Sequence, residues 1–402
     1  MLIKKMSEED FFLLQKIAEA PSPSNLEGAL TYGVIHPIFK KLITENKKSW
    51  TIHSFIGNAG IVLKTERKKS NPLKIMLVGH SDKIRLQVKH IEADGKIKIS
   101  SSSFLPTSLI SNKVKLFSRK PDNPKEFNVF YGTIEGIPPI HLASQSLISG
   151  KKGVSSSALY LELGVYGSHA DYKLKNLGIR PGDPIIFDRK IEKRLFTNIF
   201  SGPYLDNSVG CFTVVQLAKM FSKIQDLENI QLLFTISAQE EIGRYGSMVA
   251  VENFKPDILI AIDVSHDYVN TPNILWRNFP ETEIGNGFTV VCGAMISPIL
   301  NNILITESKK KSIPYQTVIC SRDTGTDASS GVKVGRDTVA MSLGVPLRYM
   351  HTASELAHTG DIMSLQYAVY NLIQYINLKG LDKNYFVTNH PQLQKADKIT
   401  QI

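Results

Sequence analysis

Histidine and carboxylate residues recur in this sequence at one kind of place, directly after a short apolar run. Leu73–Val78 leads into Gly79-His80-Ser81-Asp82, and Ile230–Ser237 into Ala238-Gln239-Glu240-Glu241. Ile258–Ile262 leads into Asp263, and Val345–Met350 into His351. Asp206 opens a segment whose apolar residues (Val209, Phe212, Val214, Leu217) have helical spacing. The apolar runs predict buried strands, and in open α/β sheets ligands bind beyond the carboxyl ends of the strands. Residues far apart in sequence would converge there. Two imidazoles and three carboxylates, with no thiolate among them, suit zinc, cobalt or manganese. Five side chains exceed what one tetrahedral catalytic zinc needs, because such a site keeps a position open for water. They suit a pair of ions that share one carboxylate.

The neighbouring residues have natural parts. His80 and Asp82 are two apart in an extended segment and face the same side, so Asp82 can accept a hydrogen bond from the imidazole and orient it. Glu240 and Glu241 are adjacent and point in different directions. One of them can bind metal while the other takes a proton from the attacking water. His266 is a weaker competitor for ligation, His358 reads as a loop or helix-entry residue, and Cys211 as a small packing residue.

Positioning such a set requires strands that alternate with helices. The chain of 402 residues exceeds one ordinary core, so two domains or one domain with a large insertion are expected. A helix begins after Ser7, with Phe11, Leu14 and Ile17 on one face, and stops before Pro21. Strands and helices alternate to about residue 87 and again from 188, ending in an amphipathic helix over 361–376. They predict an α/β core with a largely parallel sheet flanked by helices, formed by 1–87 and 188–402. Between them, 88–187 holds short alternating segments separated by Gly, Pro, Ser and Asn, the texture of an inserted small β domain.

Composition narrows the classes further. Lys and Arg number 47 against 37 Asp and Glu, a net charge of +10. The densest basic knots, Arg67-Lys68-Lys69 and Lys309-Lys310-Lys311, are short and lack interleaved aromatics, so no nucleic-acid partner is expected. Three cysteines without CxxC spacing fit a reducing compartment. The acidic start (Ser7-Glu8-Glu9-Asp10) is unlike a signal peptide, and no apolar run is long enough for a membrane span. A cytoplasmic protein with no membrane partner is the expectation.

The segments GHSD (79–82), DNSVG (206–210), SAQEEIG (237–243), AIDVS (261–265), GTDAS (325–329) and PLRYMHT (346–352) resemble those of the glutamyl, deblocking and tetrahedral aminopeptidases. These are dinuclear metallo-exopeptidases, some of whose members carry the label endoglucanase or cellulase. Weaker matches at Pro21–Ser24, Gly57-Asn58 and Gly182-Asp183-Pro184 extend the likeness over nearly the whole chain. The resemblance implies a zinc-exopeptidase-like α/β domain with an inserted β-barrel-like domain that mediates homo-oligomers, often dodecamers, and peptides as substrates. It implies two divalent ions, zinc first, with cobalt or manganese as alternatives. Asp206 would bridge them, His80 and Asp263 completing one site and Glu241 and His351 the other. Glu240 would be the general base and acid, and Asp82 the orienting partner. Thr326 and Asp327 would lie beside the substrate. A carboxypeptidase, dipeptidase or deacylase would use the same kind of centre, and an inactive basic scaffold is a further alternative. A glycosidase needs two carboxylates free of metal, which this set does not leave. Lys83 and Asn207 stand where relatives commonly have Glu and Asp, removing two negative charges beside the ligands.

Overall fold

The computed structural model describes residues 5–57, 60–100, 102–196, 198–275 and 278–387. Asn58 of the Gly57-Asn58 match lies outside them. Helix α1 (Glu8–Glu19) is capped by the Ser7 hydroxyl, which accepts from the Asp10 N–H, and it buries Phe11, Leu14 and Ile17. Helix α2 (His36–Glu45) precedes β1 (Thr51–Phe55), β2 (Gly60–Lys64) and β3 (Leu73–His80). Six strands follow: β4 (Leu86–Ile91), β5 (Ile97–Ser100), β6 (Lys113–Arg119), β7 (Phe127–Glu135), β8 (Tyr160–Glu162) and β9 (Pro184–Phe187). They close into an antiparallel barrel in the order β4-β5-β8-β7-β6-β9, with its own apolar interior of Val88, Ile97, Val114, Leu116, Leu161 and Ile185.

Strands β10 (Glu192–Lys193) and β11 (Ile199–Gly202) then lead to α3 (Leu205–Ser222), β12 (Ile230–Ser237), α4 (Tyr245–Phe254) and β13 (Ile258–His266). After these come β14 (Phe288–Gly293), α5 (Pro298–Lys310), β15 (Tyr315–Cys320) and β16 (Val339–Leu347). Strand β17 (Glu355–His358) joins β10 and β11 in a small sheet, and the long helix α6 (Thr359–Lys379) follows it.

The large sheet has eight strands in the order β1-β2-β12-β3-β13-β16-β14-β15. Its centre, β12-β3-β13-β16, is parallel, while β1, β2 and the β14–β16 pairing are antiparallel, so the sheet is mixed. The period of two along each strand explains the layering. Ile75 and Leu77 of β3 and Ile258, Ile260 and Ile262 of β13 pack under α1, α3 and α6. Met76, Val78, Leu259 and Ala261 face the other way, against Ala250 and Val251 of α4. Helix α3 is buried on all sides except at Lys219 and Met220, with apolar residues spread around its whole circumference.

Two glycines set how closely α3 approaches. A Cβ on Gly79 would lie 2.8 Å from the Gly210 carbonyl carbon, so backbone meets backbone where β3 passes the first turn of α3. That contact brings the end of β3 within reach of Asp206.

Candidate metal centre

The four central strands run the same way and present their carboxyl ends along one edge of the sheet. His80 is the last residue of β3, Glu240 and Glu241 follow β12, and Asp263 lies on β13. Asp206 stands at the entrance to α3, in non-helical backbone that turns its side chain out of the helix. His351 sits in a turn after β16 at φ +60°. Gln239, just before the paired glutamates, is also left-handed at φ +58°. Such backbone costs about 1–3 kcal/mol per residue and persists where the surroundings hold it.

These residues form two groups that share Asp206: His80, Asp206 and Asp263 in one, Asp206, Glu241 and His351 in the other, each with its donor atoms within 4.8 Å of one another. His80 Nε2 lies 3.1 Å from Asp206 Oδ1 and 3.7 Å from Asp263 Oδ1. His351 Nε2 lies 3.3 Å from Asp206 Oδ2 and 3.8 Å from Glu241 Oε1. The two oxygens of one carboxylate therefore face different groups.

Burial and mutual repulsion act strongly on the carboxylates gathered here. Burial, then Asp206, pushes the Glu241 carboxyl well above its ordinary range, and burial also raises Asp263. Burial acts against a charged His80, yet Asp206, Asp263 and Asp82 outweigh it and hold its pKa well above the ordinary value. Asp206 is held low despite its burial, through His351 and His80. Asp206 Oδ1 and Glu241 Oε1 are buried and accept no hydrogen bond, although the imidazole nitrogens are close by. Buried acceptors without donors, beside imidazoles that offer nitrogen, are the donor set a divalent cation satisfies. The residues present fit metal.

Glu240 belongs to neither group and lines the cleft beside them. Its Oε1 meets Arg244 Nε at 3.1 Å, and Arg244 is held in turn by Asp323 and Ser329. Burial and the carboxylates Asp263, Asp327 and Asp206 push Glu240 up to about 8, against the opposing pull of His80.

Asp82 has a wider part than orienting an imidazole. Its oxygens accept the backbone N–H of Glu240 at 2.8 Å and of Glu241 at 3.2 Å, and the Ser24 hydroxyl at 2.9 Å. His80 Nδ1 is 3.5 Å from this carboxylate and 3.1 Å from the Asp82 carbonyl oxygen. Thr326 lines the cleft, but Asp327 does not. Asp327 is buried and accepts hydrogen bonds from Ser237 and Ser247, so its carboxylate is turned into the protein and does not line the cleft beside which it was expected. His266 lines the cleft outside both groups. His358 caps α6, its Nδ1 accepting from the Gly360 N–H.

The two departures have structural answers. Lys83 turns away from the cleft and donates to the carbonyls of Ala18, at 2.7 Å, and Ala20. Asn207 donates through Nδ2 to the Ile262 carbonyl and accepts the Gly210 N–H. An aspartate at 207 has no donor for Ile262.

Sequence reasoning missed Glu355. Its fully buried carboxylate accepts the N–H of Leu205 at 2.6 Å, Asp206 at 3.1 Å and His351 at 2.9 Å. One acid thereby holds the backbone of two candidate ligands on different elements.

An α/β sheet whose parallel strands deliver imidazoles and carboxylates to one edge, with a glutamate beside them, has the donor set that suits a metal-dependent hydrolase. The chain belongs to the M42 glutamyl aminopeptidase family, whose profile matches residues 57–367. It is similar to a lysyl aminopeptidase of Pyrococcus furiosus, with 30% identity over 88% of this chain and 93% of that one. Among solved structures, a TET aminopeptidase from a marine sediment archaeon of the Thaumarchaeota superposes with a TM-score of 0.78 at 18% identity, over 95% of this chain and all of that one. The TET1 peptidase of Pyrococcus horikoshii, described as assembling into a tetrahedron or a large octahedral shell, gives a TM-score of 0.70 at 18% identity, over 90% and 98%. The protein is a metal-dependent aminopeptidase, a peptide hydrolase acting at N-termini.

Proposed function

We propose that this aminopeptidase works with two divalent cations per chain, one held by His80, Asp206 and Asp263, the other by Asp206, Glu241 and His351. The observation that carries the reading is Asp206, whose Oδ1 faces His80 while its Oδ2 faces His351. Imidazole and carboxylate donors favour zinc, and cobalt or manganese suit the same set. Bound there, such cations supply Lewis acidity toward a scissile carbonyl and lower the pKa of water. Glu240 takes the proton of the attacking water and returns it to the leaving amide nitrogen. Asp82 fixes the backbone of Glu240 and Glu241 together, so that one faces the metal groups and the other Arg244. The free α-amino group of a peptide sits against the acidic end of the cleft, with Thr326 beside the substrate, which restricts cleavage to the first residue.

The protein acts in the cytoplasm as a homo-oligomer, a dodecamer by analogy with its relatives. Free Cys211, Cys292 and Cys320 agree with a reducing compartment, and among the described residues no helix is long and apolar enough to cross a membrane. The assembled shells described for the Pyrococcus horikoshii relative support the oligomer.

The test is hydrolysis of aminoacyl anilides and short peptides after dialysis against chelator, with zinc, cobalt or manganese added back. N-terminal release is lost on stripping and restored by one of the metals. Glu240→Gln keeps its metal content and loses about 10²–10⁴-fold in turnover; unchanged turnover contradicts the proton-transfer role.

A further inference from the structure

We propose that the cleft selects peptides whose first residue is apolar and of leucine or methionine size, over those that begin with lysine, arginine, glutamate or aspartate. The inference rests on reading this cleft as the peptidase site. From the candidate ligands a cavity of about 380 Å³ extends across the middle of β16 to the carboxyl-terminal halves of β14 and β15. Away from the ligands its apolar wall is Val291 of β14, Val318 and Ile319 of β15, Leu343 of β16, Met350 and the ring of Tyr268, and polar groups of Ser265, His266, Thr324, Thr326 and Ser342 line the rest.

The charges in it are segregated. All four carboxylates that line it, Asp206, Glu240, Glu241 and Asp263, lie at the ligand end, and no described Lys or Arg lines it. With two divalent ions in place Asp206, Glu241 and Asp263 are matched and Glu240 is paired with Arg244, so at the apolar end the side-chain ammonium of a lysine finds no carboxylate. A glutamate meets no cation at the apolar end. Arg244 is committed to Glu240 and Asp323, and Asp323 to Arg244 and Lys333. Outside Tyr268 and Ile319, which also border a wider depression, a carboxylate reappears at Glu281. A charged side chain placed against the apolar wall loses water and meets no Lys, Arg, Asp or Glu of opposite charge there, whereas an apolar one leaves water for matching walls. The family description names glutamyl residues and the Pyrococcus furiosus relative lysyl ones. This cavity offers neither the cation nor the spare carboxylate such residues require.

The measurement is kcat/KM of the metal-loaded full chain on otherwise identical peptides Xaa-Ala-Ala, with Leu, Met, Phe, Lys, Arg, Glu or Asp first. Leu or Met exceeds every charged residue by at least about ten-fold if the cavity receives the first side chain. A lysine or glutamate peptide cleaved best overturns the specificity and leaves the peptidase reading standing. Release from none of the peptides, with metal bound, overturns the peptidase reading and the specificity with it. Val318→Asp places a carboxylate on the apolar wall and lowers the Leu/Lys ratio by about ten-fold. An unchanged ratio in a folded Val318→Asp variant contradicts the assignment of this wall to the first side chain.

Discussion

Single residues at this site are set by partners distant in sequence. The candidate ligands were legible because each stands beside an apolar element: His80 after Leu73–Val78, Asp263 after Ile258–Ile262, Asp206 before Val209 and Phe212. Glu355 was not, since one acid in the short run Glu355-Leu356-Ala357 has no spacing that distinguishes it from a surface residue. Its meaning lies in three N–H groups that converge on it from residues 205, 206 and 351. Burial pushes its carboxyl up to about 8, with Asp206 adding to the effect. Glu355→Ala leaves those donors without an acceptor, at about 1–3 kcal/mol for each buried group. The expected outcome is metal affinity weakened by about 10–100-fold, because backbone support of ligands is lost. Zinc titration of the chelator-stripped variant measures this, and wild-type affinity would contradict it. Asp327 was misplaced for a related reason: a Gly-Thr-Asp turn specifies bending, while the hydroxyls of Ser237 and Ser247 that draw the carboxylate inward come from β12 and α4.

Elements were more legible than their ends. Strands β3, β12 and β13 appeared as continuous apolar runs because the sheet is covered on both faces. Strand β16 was read as 345–350 but spans Val339–Leu347. Ser342 and Gly344 interrupt its apolar run; in the fold, the Ser342 hydroxyl pairs with Thr326 and Gly344 lets Thr289 approach. Beyond Leu347 the chain bends back, Arg348 pairing with Leu356, and this turn carries His351. Strand β7 escaped notice because its burial is mixed and Gly132 divides it. Lys83 joins elements: its ammonium takes the carbonyls of Ala18 and Ala20 at the carboxyl end of α1 and lies 5.3 Å above the Tyr204 ring. Burial lowers its pKa to about 7. Between pH 7 and about 10.4 the unfolded chain therefore binds more protons at Lys83 than the folded one, and this lysine's contribution to stability rises with pH. Urea unfolding of the wild type and Lys83→Met at pH 7, 8.5 and 10 should show the wild type gaining on the variant. Parallel curves would contradict a buried, depressed lysine.

At the scale of the whole molecule, the sheet and the barrel divide the work. The sheet gathers the candidate ligands; the barrel, drawn from residues 86–187, exposes Ile140 at 68%, Leu142 at 77% and Ile137 at 44%. Neighbouring exposed apolar side chains favour a surface that another chain covers. In the proposed homo-oligomer Leu142→Asp lowers the sedimenting mass while the isolated chain keeps its fold; an unchanged particle would contradict a role for this face. The two densest basic knots have local roles. Lys309 and Lys310 sit in the last turn of α5, where cations oppose the helix dipole, and Lys68 and Lys69 face Glu66 and Glu228. What remains central is the pair of cations that share Asp206, and anomalous diffraction from crystals of the zinc-loaded protein tests it most directly. The account predicts two zinc peaks per chain, one on each side of the Asp206 carboxylate, between His80 and Asp263 and between Glu241 and His351. A single peak, or two peaks of which neither touches Asp206, would contradict it.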